Sequence, residues 1–448
     1  MIHTFIAVGQ PMALDVGSGA VHALDAIAYE ALQLWDSVPG EEIAKKLSER
    51  FPAQEVEEVL TELQELERMG QLNAPDGYED VEVRAPGVVK AMCLHAAHDC
   101  NLRCRYCFAG AGEYHLRKRT LMKAETGKAA LDWLVQKSGN RVNLEVDFFG
   151  GEPLMNFKAI REIVAYGREL EKTHNKHFKF TTTTNGLLLT DEVIDFLNRE
   201  MDNVVLSIDG RKEVHDRMRP SPNGSGSYDR VLPGALKLAR SRNQQRYYVR
   251  GTFTAHNLDF SKDVLHLADT GFEQISIEPV VADPNCGYAL TEEHLPKIFE
   301  EYESLAREYM KRRKDGRWFS FFHFMVDLQG GPCLRKRLTG CGAGNEYVAV
   351  TPEGDIYPCH QFVGREGFQM GSVLDGSFDS ALQQKFAANN VLSKEACRTC
   401  WARFFCSGGC AANAHLFHGD IGKPYELECK MERKRLECAM AINALERE

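Results

Sequence analysis

Three cysteines in one short segment constrain this chain more than any other feature of its sequence. The segment Cys100-Asn-Leu-Arg-Cys104-Arg-Tyr-Cys107 places them at the spacing CxxxCxxC. Three thiolates can ligate three corners of an iron–sulfur cube and leave the fourth iron open, whereas closed clusters and structural zinc sites normally take four protein ligands. The nearest other cysteine, Cys93, lies outside this segment. The segment is therefore either an incomplete site or a site that keeps one iron free for a substrate.

The composition favours an intracellular protein that uses cysteines to bind metal. The chain has 448 residues, of which 44% are hydrophobic, and 14 cysteines. Extracellular disulfides would need a signal peptide, and none is visible at the start of the sequence. No apolar run reaches the roughly 18 residues that cross a bilayer. We expect a cytoplasmic protein with no membrane partner.

The first 75 residues predict a small acidic module. They contain 13 Asp or Glu and 4 Lys or Arg, a balance of −9 in a chain whose net charge is −10. The apolar pattern predicts three strands followed by three helices, at residues 4–8, 12–16, 20–24, 25–34, 41–50 and 54–69. Winged-helix modules of this size often bind DNA, but a surface of −9 would repel phosphates. We therefore expect no nucleic-acid partner.

Residues 76–87 predict a linker, and residues 88–310 predict a parallel α/β domain. Strand-like runs alternate with helical patterns there, which implies a parallel sheet, either open or barrel-like. The six predicted strands cover residues 90–95, 144–149, 177–183, 204–208, 247–254 and 274–279. Ligands gather at the carboxyl ends of such strands, and the cysteine triplet directly follows the first of them.

Three further motifs stand at the ends of the next three predicted strands. They are Gly150-Gly-Glu-Pro153, Thr184-Asn-Gly186 and Ser207-Ile-Asp-Gly210. Each motif alone is weak, because glycines after a strand are most often ordinary turns. Their shared placement beside the cysteine triplet indicates one site.

The triplet, with Tyr106 before its last cysteine, and the Gly150-Gly-Glu-Pro153 motif together resemble the radical S-adenosylmethionine enzymes. The resemblance covers residues 88–310 and implies a partial (β/α)6 barrel. It implies a 4Fe-4S cluster on Cys100, Cys104 and Cys107, whose free iron takes the amine and carboxylate of S-adenosylmethionine. The implied contacts to that cofactor are Gly150, Gly151 and Glu152 at the methionyl amine, Tyr106 at the adenine, and Ser207, Asp209 and Arg219 at the ribose and carboxylate.

Nine of the 14 cysteines fall between Cys333 and Cys438. The central ones are arranged as Cys341-x12-Gly354-x4-Cys359, Cys397-x2-Cys400-x5-Cys406-x3-Cys410 and Cys429. By spacing alone a zinc ribbon stays possible, because the second group could form one closed tetrahedral site. Joined to a radical domain, the arrangement resembles the seven-cysteine pattern of SPASM domains, here residues 311–448, which carry two auxiliary 4Fe-4S clusters.

The SPASM resemblance implies two sets of ligands. The distal cluster would be bound by Cys397, Cys400, Cys406 and Cys429, and the proximal cluster by Cys341, Cys359 and Cys410. Three ligands leave the proximal cluster open to a substrate thiolate, which is a soft donor well matched to iron. Cys333 is a rival fourth ligand that would close this site. The remaining thiols, at Cys93, Cys286 and Cys438, are predicted to be buried and unligated.

The N-terminal module resembles, in size and order of elements, the PqqD-like recognition elements of peptide-modifying enzymes. Such elements bind a leader peptide by adding it to an exposed strand edge. The predicted edge is the third strand, with the residues Ala20, Val21, His22, Ala23 and Leu24. The alternative is a module that only caps the catalytic domain.

Together, the three parts resemble the thioether-forming maturases of cysteine-rich peptides, closest to the SCIFF-peptide maturases. The resemblance implies a ribosomally made precursor peptide with a leader segment, hydrogen abstraction from an acceptor residue such as Thr, and carbon–sulfur bond formation with a peptide cysteine. It also implies three 4Fe-4S clusters, S-adenosylmethionine, and an external electron donor of the flavodoxin or ferredoxin type.

Three other functions stay open at this point. Anaerobic sulfatase maturases share the catalytic and cluster domains, but they place an Asp base after the cysteine that corresponds to Cys359, where this chain has His360. A peptide epimerase or carbon–carbon crosslinker could carry every domain. In an iron–sulfur electron carrier, the motif Gly150-Gly-Glu-Pro153 would have no function.

Overall fold

The computed structural model describes residues 1–77, 81, 87–328 and 334–446. Its first 75 residues form an antiparallel sheet and three helices. The sheet has the order β1-β2-β3, so that β2 is central and β3 lies at an edge. The elements are β1 Ile2–Ala7, β2 Gln10–Asp15, β3 Val21–Ala23, α1 Ala26–Leu34, α2 Gly40–Leu47 and α3 Ala53–Arg68.

Local sequence explains why these helices form where they do. The Asp25 carboxylate accepts a hydrogen bond of 2.7 Å from the Ala28 N–H and caps α1. In α3, three residues at three- and four-residue spacing, Val56, Leu60 and Leu63, are buried against the other two helices. The three predicted strands and three predicted helices are therefore present, with small shifts of their ends.

The six strands predicted for the α/β domain form the centre of a larger sheet. They pair in parallel and in chain order, which is the arrangement that alternating strands and helices produce. The strands of the domain are β4 Ala91–His98, β5 Thr120–Leu121, β6 Asn143–Gly150, β7 His177–Thr184, β8 Met201–Ser207, β9 Tyr247–Phe253 and β10 Gln274–Pro279. Its helices are α4 Ala124–Lys137, α5 Phe157–Thr173, α6 Asp191–Glu200, α7 Lys212–Met218, α8 Tyr228–Ser241, α9 Phe260–Thr270 and α10 Leu295–Lys314.

The chain after residue 310 extends this sheet at both ends. A short strand, β11 at Ser320–Phe321, pairs with β10, and β12 at Tyr347–Val350 pairs in parallel with β4. The β12 strand begins six residues after Cys341 and therefore ties the cysteine-rich region to the strand that precedes the CxxxCxxC segment. The remaining elements are β13 Asp355–Tyr357, β14 Gly371–Ser372, α11 Leu334–Thr339, α12 Ser380–Ala387, α13 Glu395–Arg398, α14 Arg403–Cys406, α15 Ala411–His418 and α16 Glu426–Leu445.

The last helix joins the N-terminal module to the rest of the molecule. Buried side chains of the three-stranded sheet, including Phe5, Met12 and Leu14, form one apolar cluster with Met440 and Ala441 of α16. At roughly 1.5–3 kcal/mol for each large apolar side chain buried, this contact fixes the module in place.

None of the helices in the part of the chain that the structure describes combines the length and the apolarity of a bilayer-spanning segment.

Candidate active site and cluster sites

The three cysteines of the CxxxCxxC segment lie in the loop after β4 and line one cavity of about 280 Å³. The pKa of Cys100 is raised to about 12, by burial first and then by the charges of Glu152, Cys104 and Cys107. Burial also raises the pKa of Cys104 to about 11, against the opposing charge of Arg219. Three thiolates held this close repel one another, and the positive irons of a cluster offset that repulsion. The donor set therefore fits a 4Fe-4S cluster with one open iron.

Gly150 and Gly151 line the same cavity, and both positions exclude a side chain. A Cβ on Gly150, whose φ is +122°, would lie 2.2 Å from the Ala97 carbonyl oxygen. A Cβ on Gly151 would lie 2.1 Å from the carbonyl oxygen of Asp99. The Gly151 N–H donates to Ala97 at 2.7 Å, so the glycine turn lies directly against the strand that leads to Cys100.

The role of Glu152 at the methionyl amine stays a prediction, and in the structure its side chain is fully buried and does not line the cavity. One carboxylate oxygen accepts from the Thr184 hydroxyl at 2.8 Å and from the Leu154 N–H at 3.1 Å, and the other accepts from the Asn185 N–H at 2.8 Å. Burial raises the pKa of Glu152 to about 7, while these hydrogen bonds lower it. Asn185 in turn places its amide nitrogen 3.7 Å from the Cys100 sulfur. Glu152 therefore connects β6 to β7 behind the cysteine loop.

Replacing Glu152 by Gln is expected to destabilise this connection. The amide has one acceptor oxygen in place of two, so either the Asn185 or the Leu154 N–H loses its partner in a buried site. We expect a loss of about 1–3 kcal/mol in the free energy of unfolding, measured by denaturant titration of anaerobic protein. Glu162→Gln on the exposed face of α5 is the control, with an expected change within about 0.5 kcal/mol. Equal stability of both variants would contradict the structural role of Glu152.

Tyr106, Asp209 and Arg219 form one buried network. The Tyr106 hydroxyl donates to the two carboxylate oxygens of Asp209 at 2.8 and 2.6 Å, and Arg219 Nε donates to the same carboxylate at 3.0 Å. The Thr252 N–H adds a third donor at 3.0 Å. Tyr106, Arg219 and Ser207 line the cavity, whereas Asp209 is fully buried behind them. Of the predicted ribose and carboxylate contacts, Ser207 and Arg219 line the cavity, and Asp209 holds Arg219 in position.

The opposite wall of the cavity was not predicted in full. Arg250 on β9 donates to Glu278 on β10 at 2.5 Å, and both side chains face the cavity. His360, the residue after Cys359, lines the same cavity and packs its ring on Phe149 with centroids 4.9 Å apart. The pKa of His360 is lowered to about 4, by burial first and then by the charge of Arg250. The sequence could have indicated this wall, because Arg250 and Glu278 occupy predicted strands whose carboxyl ends meet at the cavity.

The predicted proximal ligands, Cys341, Cys359 and Cys410, lie near one another. Burial raises the pKa of Cys359, and the charges of Cys410 and Cys341 raise it further. Gln361 lines the cavity of the CxxxCxxC cysteines, and its amide nitrogen lies 4.0 Å from the Cys410 sulfur. The proximal ligands therefore adjoin the cavity of the CxxxCxxC cysteines. Cys333, the rival ligand, lies outside the described residues.

The four predicted distal ligands, Cys397, Cys400, Cys406 and Cys429, line a second cavity of about 520 Å³. They come from α13, the turn after it, the end of α14 and the first turn of α16. Across the described ranges, no three His, Cys, Asp or Glu side chains converge as the ligands of a single metal ion would. Cysteines arranged around a cavity fit a cluster, whose ligands stand farther apart than those of one zinc ion.

The predicted peptide-binding residues lie at the edge of the N-terminal sheet. Ladder bonds run from Leu24 N to Pro11 O and from Asp15 N to Ala20 O, both 2.9 Å long. Because bonded pairs alternate along antiparallel strands, the backbone groups of Val21 and Ala23 point to the open edge. Leu24 differs from its predicted role, since its side chain is buried among the helices of the module.

Two sequence-family models match the chain. One describes a 4Fe-4S single cluster domain and matches residues 83–233, and the other is the SPASM model, an iron–sulfur cluster-binding domain, which matches residues 341–401. An uncharacterised protein of Methanocaldococcus jannaschii is 30% identical over 62% of this chain and 86% of its own length. The radical SAM cyclopropyl synthase of Paramaledivibacter caminithermalis is 22% identical over 74% and 70% of the two chains.

The chain belongs to the radical S-adenosylmethionine enzymes with a SPASM domain.

Further similarities extend over most of this radical S-adenosylmethionine enzyme. The cysteine-type anaerobic sulfatase-maturating enzyme of Clostridium novyi is 25% identical over 71% of this chain and 86% of its own. The solved structure of anSMEcpe with bound AdoMet covers 78% of this chain and 97% of its own, at 20% identity and a TM-score of 0.65. Streptococcus suis SuiB bound to the precursor peptide SuiA covers 94% and 97%, at 16% identity and a TM-score of 0.51. These structures share the α/β fold of the enzyme.

The predicted cofactors of this SPASM-domain enzyme are confirmed. They are S-adenosylmethionine and three 4Fe-4S clusters, one of which binds S-adenosylmethionine.

Proposed function

We propose that this enzyme installs thioether crosslinks between a cysteine and an acceptor residue, Thr in the first instance, of a ribosomally made cysteine-rich peptide. One observation carries the proposal. A single cavity is lined by the three cysteines of the CxxxCxxC segment, by Gly150 and Gly151, and by His360 and Gln361, which directly follow Cys359. A peptide that enters this cavity meets both the radical site and the neighbourhood of the proximal cysteines.

The residues around the cavity divide into groups with separate tasks. Cys100, Cys104 and Cys107 hold the first cluster, and the glycine turn allows S-adenosylmethionine to approach the backbone closely. The first cluster and S-adenosylmethionine would together supply the abstraction of a hydrogen atom from the substrate. Arg219, held by Asp209, offers a fixed cation to the carboxylate of S-adenosylmethionine.

The proximal cysteines suit the binding of a substrate thiol. Cys341, Cys359 and Cys410 provide three protein ligands, so one iron of the proximal cluster is available to the thiolate of the peptide cysteine. Coordination would keep that sulfur deprotonated and fix it close to the acceptor residue, which replaces diffusion by position. One electron is left over when the carbon radical bonds the thiolate, and the proximal cluster would accept it.

The ion pair of Arg250 and Glu278 suits contact with the peptide backbone. Its side chains are 51% and 35% exposed, although both belong to strands of the sheet. An exposed ion pair adds at most about 1 kcal/mol to stability, so the pair has little structural value there. A guanidinium and a carboxylate together offer donors to peptide carbonyls and acceptors to peptide N–H groups.

Residues 1–75 are proposed to bind the leader of the precursor peptide at the outer edge of β3. Two observations support this role. The backbone groups of Val21 and Ala23 at the edge of the sheet have no partner strand among the described residues. The structure of SuiB with a bound precursor peptide covers 94% of this chain, whereas the structure of anSMEcpe covers 78%. The wider coverage is consistent with a shared N-terminal module.

Replacing Ala23 by Pro is expected to weaken leader binding. The change removes one N–H from the open edge and leaves the ladder to β2 intact. We expect at least a tenfold rise in the dissociation constant of the leader peptide, measured by calorimetry, with unchanged formation of 5′-deoxyadenosine in the absence of peptide.

Ala23→Ser is the matched control, because it alters the side chain and keeps the backbone N–H. Equal leader affinity for the Pro and Ser variants would show that the peptide binds elsewhere.

The division into residues 1–75, a linker at 76–87, a radical domain at 88–310 and a cluster domain at 311–448 is part of the proposal. So is an external electron donor of the flavodoxin or ferredoxin type, because the first cluster must be reduced before each cleavage of S-adenosylmethionine.

The decisive experiment uses reconstituted enzyme and the short cysteine-rich peptide encoded beside it. We expect the peptide to lose two hydrogen atoms in mass for each bridge, and fragmentation to place a carbon–sulfur bond between a cysteine and its acceptor. A mass loss with every cysteine still free to alkylation would refute thioether formation and favour a carbon–carbon crosslink. An unchanged mass with an inverted residue would identify an epimerase.

A sulfatase-type maturase is the second candidate, because both a curated relative and a solved neighbour are sulfatase-maturating enzymes. Such activity would convert a cysteine of a sulfatase-derived peptide to an aldehyde. Incubation with that peptide and a carbonyl-trapping reagent separates the two functions.

A further inference from the structure

Lys394 is a buried lysine beside the predicted distal cluster ligands. The residue is only 4% exposed, and its Nζ donates a hydrogen bond of 2.6 Å to the carbonyl oxygen of Gly408. Among the described residues, no carboxylate lies within ion-pair distance of this Nζ, although other lysines of the C-terminal region have such partners. A buried ammonium without a counter-ion is costly, so a compensating negative charge is needed nearby.

The Gly408 carbonyl belongs to the loop that joins the two sets of cluster ligands. The loop runs from Cys406, a predicted distal ligand, to Cys410, a predicted proximal ligand. Gly408 adopts a φ of +86°, and a Cβ there would lie 3.3 Å from Lys394 Nζ. The ammonium group therefore lies on the short backbone connection between the two cluster sites.

The cysteines around Lys394 can supply the missing negative charge. The carbonyl oxygen of Lys394 accepts a hydrogen bond of 3.0 Å from the N–H of Cys397, a predicted distal ligand. Its ammonium group donates to the loop that begins at Cys406, a second predicted distal ligand. A cluster with four thiolate ligands carries net negative charge, and that charge would compensate the ammonium.

We propose that Lys394 is a positioning residue that favours the reduced form of the distal auxiliary cluster. The inference depends on the distal ligand set proposed above and not on the peptide product. Each electron that the cluster accepts makes it one charge more negative, and a fixed cation in a buried site stabilises the more negative state. Net charge, hydrogen bonds and solvent exposure are the quantities that set the potential of such clusters.

The test is a redox titration followed by electron paramagnetic resonance, without peptide and with dithionite as the source of the electron. A Cys104→Ala background removes the signal of the first cluster. We expect Lys394→Met to lower the ratio of reduced to oxidised distal cluster about tenfold at a fixed potential, which is a shift of about 59 mV for one electron. Lys394→Arg keeps the charge and is expected to titrate like the parent protein.

Two further variants separate charge from hydrogen bonding and from surface position. Lys394→Gln keeps a donor for the Gly408 carbonyl without the charge, and we expect it to shift as Lys394→Met does. Lys423 lines the cavity of the predicted distal ligands but is exposed, so Lys423→Met is expected to give less than half that shift, because water screens its charge.

Several outcomes would overturn the inference. If the Met and Gln variants both titrated like the parent protein at full iron content, the charge would have no effect. If the Gln variant titrated like the parent protein while the Met variant shifted, the effect would come from the hydrogen bond alone. Iron loss in Met and Gln but not in Arg supports the inference, because those variants differ in charge. Iron loss in all three would indicate a purely steric role. None of these readouts depends on thioether formation, so a different peptide product would leave them unchanged.

Discussion

Replacing Cys104 by Ala is expected to abolish the formation of 5′-deoxyadenosine. The thiol is the middle member of the triplet that lines the first cavity, and its loss leaves only two protein ligands for a cluster that already has an open iron. Loss of residues that merely orient a metal ligand reduces activity about 10–100-fold, so the loss of a ligand itself should exceed about 100-fold. The product is measured chromatographically with excess reductant, and the iron content should fall by about one third.

Cys286→Ala is the matched control for this prediction. Cys286 was predicted to be buried, but in the structure it is partly exposed, and it does not line the cavity. The variant should keep its iron and its cleavage of S-adenosylmethionine. Residual 5′-deoxyadenosine in the Cys104 variant at the level of the Cys286 variant would refute the assignment of the first cluster.

Replacing Cys400 by Ala is expected to separate cofactor cleavage from peptide modification. Cys400 lines the distal cavity, which is distinct from the cavity of the triplet, so the first cluster should still form. We expect 5′-deoxyadenosine formation to continue within about tenfold of the parent rate. Crosslinked peptide should fall below detection, because the distal cluster no longer assembles and the region that holds Cys410 is disturbed. Both quantities are measured in the same reaction by mass spectrometry.

Cys438→Ala controls for the removal of a thiol from the same region. Cys438 lies fully buried in α16 among apolar side chains and is not a predicted ligand. Its variant should keep full iron content and form product. If the Cys400 variant instead lost both activities to the same extent, the distal region would be only a structural support for the radical domain.

The regular parts of the fold could be predicted from the sequence, because their periodicity is local. The alternation of apolar runs and helical stripes located all six central strands. Strand β12 was not predicted, since four residues between cysteine motifs carry no periodic signal and the strand is defined only by its pairing with β4. The short helices α13 and α14 were not predicted either, because four residues each are too few to show a period.

The site residues show where motif reasoning stops. The cysteines and the glycine pair are recognisable because their chemistry depends on residue type and spacing. The orientation of Glu152 cannot be recognised in this way, because its hydrogen-bond partners Thr184 and Asn185 lie more than 30 residues away, at the end of β7 and directly after it. Asp209 is a similar case, since its partner Thr252 is 43 residues away. Both carboxylates face inward, which no linear pattern reveals.

The packing of the N-terminal sheet on α16 has a consequence for engineering this enzyme. The helix that supplies Cys429 also supplies Met440 and Ala441 to the contact with that sheet. An N-terminal module transplanted from a relative with another substrate preference would need a face that is complementary to α16. Because β3 also packs against α16, a redesign of its edge for a new precursor has to keep the side chains, such as Val21, that contact this helix.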